Sequence, residues 1–310
     1  MDGSGKLVLL TGGNAGIGLE ACKILSGRGY TVVASVRSDE KGGDMIAQVK
    51  EKFPNADINY LLCEMSDPNS IKSFAEEFKT KWLKDGRKLD FLINNAGATF
   101  NYPEMQSAEV NPKWEKTMVV NALAPIYLTD LLIDSLKETA AEKGEARVLM
   151  VNSSITTDYE WYNKFTVDFD DLMYQKPGSY ENGSQTYKLS KMVLMMATLA
   201  MVDELDGTNV RINSMCPGPI VGTNLFSTNT QQEMIGKLKC ILCCVKCFTG
   251  NKSNHDGGQY IVDIVDTPKG ATNGVFYVRG AVRPPHVQVA VKENQKLMLQ
   301  TLREMGNSVA

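Results

Sequence analysis

Histidine is scarce in this chain: His255 and His286 are the only two among 310 residues. Both lie far from every motif described below, which leaves little for a His-based triad or a His-ligated metal centre. No apolar run reaches the ~18 residues that a membrane-spanning helix needs. The opening Met1-Asp2-Gly3-Ser4-Gly5-Lys6 lacks the apolar stretch of a secretory signal. Neither sign of charge dominates, since 33 Lys and Arg face 36 Asp and Glu for a net charge of −3. That balance provides no basic surface for nucleic acid. Seven cysteines, four of them crowded together, do not resemble a disulfide framework in a chain this long. The expectation is a cytoplasmic protein of a reducing compartment, and 43% apolar residues suffice for a large core.

What is present is alternation. Short β-branched runs at 7–10, 31–36, 57–62, 91–94, 147–152, 210–214 and 274–278 read as strands. Longer amphipathic stretches between them place helices from near Ile17, Asp44, Ser70, Lys113, Thr186 and Gln231, with a last one over 288–303. Such alternation is the pattern of βαβ units on a parallel sheet. The fold expected is α/β: a single doubly wound domain over 1–310, about seven parallel strands with helices on both faces. Two stretches, 155–185 and 224–259, read as insertions after strand C-termini, where doubly wound sheets bind ligands, and so as substrate-pocket walls.

Thr11-Gly12-Gly13-Asn14-Ala15-Gly16-Ile17-Gly18 follows the first strand and opens a helix. In this G-x3-G-x-G spacing Gly12 permits a tight turn, Gly16 lets backbone approach a pyrophosphate, and Gly18 allows close helix–strand packing. At the end of the second strand, an acid would accept from a ribose 2′-OH. Here Ala34-Ser35-Val36-Arg37-Ser38 presents Arg37, whose donor fork suits a 2′-phosphate. NADP(H) is therefore expected over NAD, although Asp39 and Glu40 follow closely and keep NAD open.

Tyr187 precedes Lys191 by four residues in Tyr-Lys-Leu-Ser-Lys. On a helix that spacing puts both on one face. A unit charge ~4 Å away at an effective dielectric of ~20 contributes ~4 kcal/mol, enough to bring a phenol from ~10 towards ~7, where a proton donor works best. With 11 Tyr and 25 Lys, chance alone supplies about one such pair (11 × 25/310). The spacing therefore needs the company of other motifs.

That company exists, and with it the chain resembles the short-chain dehydrogenase/reductase family over nearly its whole length. Thr11–Gly18 is similar to the family's cofactor loop, and Asn94-Asn95-Ala96-Gly97 to its motif after the fourth strand. Ser153-Ser154 ends the fifth strand where the family keeps its catalytic serine, and the resemblance puts the role on Ser154. Pro217-Gly218-Pro219-Ile220-Val221-Gly222-Thr223 resembles the stretch that embraces the nicotinamide, with Thr223 on its amide. Asn121, in Val119-Val120-Asn121-Ala122, matches the asparagine that kinks its helix and ties a water to the lysine. Thr11-Gly12-Gly13-Asn14, Val36-Arg37 and Glu64-Met65-Ser66-Asp67 resemble the retinol-dehydrogenase-like members, as does the segment with Phe169-Asp170-Asp171-Leu172. Glu64 stands where those members have Asp beside the adenine.

The resemblance implies an NADP(H)-dependent oxidoreductase for a small lipophilic carbonyl or alcohol of retinoid, steroid or aldehyde type. In that reading Tyr187 moves the proton, Lys191 holds the phenolate and reaches the nicotinamide ribose, and Ser154 bonds the reacting oxygen. Two other readings stay open: a catalytically silent dinucleotide-binding scaffold, and an enzyme like protochlorophyllide reductase, which Tyr187-Lys188 and Asn224-Leu225-Phe226 resemble more faintly.

Cys240, Cys243, Cys244 and Cys247 form one helical stripe. A tetrahedral thiolate site usually draws ligands from separate turns, so buried small side chains are the leading reading over a metal. Lys237, Lys239 and Lys246 beside them allow a peripheral membrane contact through acylated cysteine. Met192, Met195, Met196 and Leu199 extend the Tyr187 helix as core or as the face of a homodimer, the latter by resemblance alone.

Overall fold

The computed structural model describes residues 2–100, 106–107, 111–157, 165–176, 178–179, 183–218, 220 and 253–308. Strand β1 (Leu7–Thr11) leads through helix α1 (Gly16–Gly27) to β2 (Thr31–Val36), and α2 (Asp39–Lys52) to β3 (Ile58–Leu62). Helix α3 (Pro68–Trp82) returns the chain to β4 (Leu89–Asn94), and a short ribbon of β5 (Gln106–Ser107) and β6 (Asn111–Glu115) follows. Helix α4 (Lys116–Met118) runs through a π turn (Val119–Leu123) into α5 (Ala124–Lys143), then β7 (Ala146–Val151). Beyond the 3-10 turn Ser154–Thr156 come α6 (Gly183–Glu204), β8 (Val210–Cys216), α7 (Asn254–Val265), β9 (Phe276–Val278), β10 (Ala281–Val282) and α8 (Lys292–Asn307).

Strand order in the main sheet is β10-β9-β8-β7-β4-β1-β2-β3. The seven strands foreseen from the sequence are all there and all parallel, and β10 joins β9 antiparallel at the edge. Side-chain parity divides the core. Leu7, Leu9, Leu92, Val148 and Met150 face α3, α5, α6 and α8. Val8, Leu10, Ile93, Leu149 and Val151 face α1, α2 and α7. With both faces covered, the strands are continuous apolar runs, as parallel sheets require.

Several elements differ from expectation for identifiable reasons. Helix α2 starts at Asp39, not near Asp44, because the Ser38 side chain accepts from Lys41 N and caps it there. The expected start near Gln231 lies outside the described residues. Helix α7 instead occupies the end of the stretch expected as an insertion, with Ser253 and Asp256 forming a capping box. Its Gly257-Gly258 pair reads as a break in sequence but serves contact. A Cβ on Gly257 would stand 2.3 Å from Ile17 Cγ2, and one on Gly258 2.7 Å from Ala21 N. Strands β5, β6 and β10 were not foreseen: β5 and β10 have two residues each, and Asn111-Pro112-Lys113-Trp114-Glu115 of β6 carries a proline and no apolar run.

The stretch Lys116–Lys143 is long and apolar enough by composition to cross a membrane, yet 72% of its most apolar window is buried inside the protein. It is a core helix. The methionine stripe is also core: Met192, Met195 and Met196 are buried, and α8 lies across α6 with Met298, Leu299 and Leu302 buried beside them. Arg303 fixes that arrangement through Asp130 on α5 and Glu204 on α6.

The α1–α7 contact yields a stability prediction. Gly258→Ala forces a methyl against the α1 backbone and should destabilise by about 1–3 kcal/mol, read as a lowered denaturant midpoint. Gly43→Ala, with open space around its added methyl, should be neutral or stabilising by up to about 1 kcal/mol.

Candidate active site

The carboxyl ends of β8, β7, β4 and β1 lie side by side, and between β4 and β1 the chain direction of the winding reverses. This is the crevice where open α/β sheets take ligands. Thr11 clasps it: its Oγ1 accepts from Asn95 N and Ala96 N, both at 3.0 Å. In return Asn95 Nδ2 donates to Thr11 O at 2.9 Å and Gly12 O at 3.2 Å.

The turn between β1 and α1 depends on glycine. Gly12 and Gly16 have φ of +73° and +57°, the region L side chains avoid. A Cβ on Gly18 would stand 2.2 Å from Gly12 O, so only glycine admits this close approach. Asn14 and Ile17 are half-buried in the same turn. At the N-terminus of α1, Ala15 offers no capping side chain, and the first turn has no acid. Its N–H groups and dipole therefore suit an anion, and the cradle fits a dinucleotide diphosphate.

Arg37 is exposed at the end of β2. Asp39 accepts from Tyr60 Oη at 3.0 Å, which draws its carboxylate towards β3. Glu64 Oε1 accepts from Ser66 N and Oγ at 2.9 and 2.8 Å, so that carboxylate orders its own loop.

On α6, Tyr187 and Lys191 share a face, with the Lys191 Nζ 5.9 Å from the centre of the Tyr187 ring. Lys191 is only 4% exposed. Its ammonium donates to Val151 O at 2.9 Å. Burial lowers its pKa to about 8, because desolvation penalises the charged form. Gly97 leaves room for this: a Cβ there would stand 3.6 Å from Lys191 Nζ and 3.3 Å from Asn121 Oδ1.

The helix kink at Asn121 is the π turn itself. Asn121, fully buried, accepts from Ala98 N at 2.9 Å and donates to Ala98 O at 2.8 Å. Its amide also donates to Ser190 Oγ at 3.0 Å, and Ser190 Oγ donates to Tyr187 O at 2.8 Å. Asn121 thus couples the loop after β4 to the backbone of the Tyr187 helix. Ser154 opens the 3-10 turn after β7 and hydrogen-bonds the Cys216 thiol through its N–H and hydroxyl. Ser153 caps that turn through Ile155 N at 3.4 Å, a local task.

At the end of β8, Gly218 N donates to Cys216 Sγ at 3.3 Å, and Gly218 has φ of +81°. Pro217 and Ile220 are half-buried beside it, and Ile220 approaches Gly257 of α7. Thr223 and the cysteine stripe lie outside the described residues.

Three residues of this region escaped the sequence reading. Ser190 carried a signal, three positions after Tyr187, but no chemistry marked it. Cys216 is buried beside Lys191 and Ser154, and burial raises its thiol pKa. Arg279, at φ +49° after β9, lays its side chain against Gly218. Nothing local in the sequence marks either.

A family model described as short chain dehydrogenase matches residues 6–164. The chain belongs to the short-chain dehydrogenase/reductase family. "Short-chain dehydrogenase TIC 32 B, chloroplastic" of Brassica napus is 32% identical over 221 residues, 70% of this chain and 64% of that protein. Human "Retinol dehydrogenase 12" is 32% identical over 216 residues, 70% of this chain and 62% of the relative. The matched stretch thus spans less than two thirds of the length of either relative. Among solved structures, L-sorbose reductase from Gluconobacter frateurii, complexed with NADPH and L-sorbose, superposes with a TM-score of 0.66. It is 21% identical and covers 90% of this chain and 96% of its own, a likeness of fold.

Two outcomes test the site. If Tyr187 is the proton donor expected from the sequence, Tyr187→Phe should lower kcat by about 10²–10⁴-fold with NADPH binding retained. Carbonyl reduction should fall as pH rises through about 8, where Lys191 discharges and ceases to favour the phenolate. A profile flat through that range would contradict the assignment.

Proposed function

We propose that this protein is an NADP(H)-dependent oxidoreductase acting on a lipophilic carbonyl/alcohol pair. The observation that carries the reading is Lys191: a buried ammonium at the carboxyl end of β7, on the same helix face as Tyr187 and beside Gly97. Nicotinamide, when bound, supplies or accepts the hydride. Tyr187 Oη donates a proton to the carbonyl oxygen, or removes it from the alcohol. The positive charge of Lys191 favours the phenolate and lies within the same crevice as the cofactor ribose would. Ser154 Oγ–H donates to the reacting oxygen as charge builds on it. Asn121 holds Ala98 and Ser190, keeping the Tyr187 helix and the loop after β4 in one geometry. When the cofactor binds, the glycine cradle with Thr11, Asn14 and Ile17 would hold the diphosphate, Asn95, Ala96 and Gly97 the adenosine side, and Pro217, Gly218 and Ile220 the nicotinamide, with the amide assigned to Thr223 by resemblance alone. Glu64 lies on the adenine side.

Arg37 supports NADP(H) over NAD, and so does the engagement of Asp39 by Tyr60. A lipophilic substrate is supported by Phe100, Phe165, Phe169, Leu172, Met173 and Tyr174. These half-buried side chains come from the two segments flanking the start of the Tyr187 helix. The relative named as a retinol dehydrogenase agrees with that chemistry. A single domain, cytoplasmic residence, a homodimer, and a shallow membrane contact through the cysteine stripe belong to the same proposal.

The experiment is NADPH consumption by the full chain with retinal, a medium-chain aldehyde, a ketosteroid and a quinone. Turnover of at least one is expected; tight NADPH binding with none consumed would leave a silent scaffold instead. Arg37→Ala should raise the KM for NADPH by roughly 10–100-fold and leave that for NADH nearly unchanged, the loss of charge-assisted bonds to one phosphate.

A further inference from the structure

Glu115 is a buried ionisable group near the start of the Tyr187 helix that the chemistry above does not use. It ends β6 and is 2% exposed. Its Oε1 accepts from Thr117 N at 3.0 Å and its Oε2 from Met118 N at 2.7 Å, and the Thr117 hydroxyl donates to it as well. It therefore caps α4, the beginning of the helix that continues through the π turn of Asn121. Thr117 Oγ1 in turn accepts from Phe100 N at 3.3 Å and lies 3.4 Å from Thr186 Oγ1, the residue before Tyr187. The backbone N of Glu115 donates to Met173 Sδ at 3.4 Å. Glu115 and Thr117 together thus join three segments: Thr117 bonds the loop after β4 and meets the Tyr187 helix, and the Glu115 backbone bonds the stretch before that helix.

We propose that Glu115 is a positioning residue for the reaction, its ionised carboxyl holding α4 and, through Thr117, the start of the Tyr187 helix. This rests on the oxidoreductase reading above. Two backbone N–H groups and a hydroxyl are all donors, so a carboxylate satisfies them and a protonated carboxyl, itself a donor, satisfies them less well. Burial raises the Glu115 pKa to about 7. Among the described residues no charged group opposes or assists its titration. Lys116 lies over the Phe100 ring, Asp168 pairs with Lys176, Asp171 accepts from the backbone of Gln175 and Lys176, and Lys188, Tyr187 and Lys191 on α6 do not figure in its titration. The sign follows: the ionised, positioning form prevails above neutrality and is lost as pH falls through about 7. For stability the direction is opposite. A raised carboxyl pKa contributes stability that is full below the unfolded value of 4.5 and is lost as pH rises through about 7.

The test compares the full-length wild type with Glu115→Gln and Thr117→Val, using NADPH and retinal as probes. At about pH 8 the Gln variant should lose roughly 10–100-fold in kcat with the Kd for NADPH unchanged, a cost typical of slight misplacement. Its kcat should vary little between about pH 6 and about pH 7, below the Lys191 titration, where the wild type declines towards acid. Thr117→Val keeps the backbone cap on α4 but cuts the link to the Tyr187 helix, so it should show part of the same loss and a shallower pH slope than the wild type. Amide exchange across 184–191 supplies an arm that needs no turnover: faster exchange in the Gln variant at about pH 8 is expected. Wild-type kcat and slope in the Gln variant, equal losses in kcat and NADPH affinity, or unchanged exchange would overturn the proposal. A wild type that turns over no carbonyl, while exchange responds to Glu115→Gln, would sink the oxidoreductase reading and leave the positioning role standing.

Discussion

The constraint on which the candidate site depends is a positive charge kept almost out of water. The Lys191 ammonium cannot sit in the interior without compensation, and what compensates it is a carbonyl at the end of β7, Val151 O. Helix α6 packs on the sheet, and Gly97 lies beside the ammonium, where a Cβ would stand 3.6 Å from Lys191 Nζ. Ser154, which follows the same strand end, and Cys216, on the neighbouring strand, are gathered around the same charge. Burial is what gives the charge its reach, since a solvated ammonium would be screened from the phenol.

A second layer of constraint explains why the parts cannot drift. Strands β1 and β4 are neighbours in the sheet although their chain positions differ by some eighty residues, and the Thr11–Asn95 clasp locks their ends together. The π turn then aims Asn121 at both Ala98 and Ser190, so the loop after β4 and the Tyr187 helix move as one. Glycine appears wherever two backbones must nearly touch: Gly18 against Gly12, Gly258 against α1. These contacts trade local conformational freedom for a shared geometry that no single element holds alone.

Much of this was legible beforehand because it is local. The alternation of β-branched runs with amphipathic stretches revealed a parallel sheet, and seven of the eight sheet strands were foreseen. The i, i+4 relation of Tyr187 and Lys191 was readable once a helix was assumed. The ordered motifs identified the family. Other features were opaque for equally physical reasons. Gly257-Gly258 looks like a break unless the partner helix is known. Glu115 looks like a surface acid until β6 is seen to end inside the protein. The methionine stripe could have met a second chain or its own. Only the placement of α8 across α6 shows that this chain buries it.

By itself the amino-acid order determined which residues can do chemistry and which segments alternate between strand and helix, since periodicity and turn chemistry act over a few neighbouring residues. Tertiary structure alone decided which groups are stripped of water. It put Lys191 and Glu115 where charge is costly, turned Asp39 towards Tyr60, and gave Asn121 its partners. The reason is that desolvation and hydrogen-bond partnership arise between elements distant in sequence, and no local pattern encodes what will be packed against a side chain.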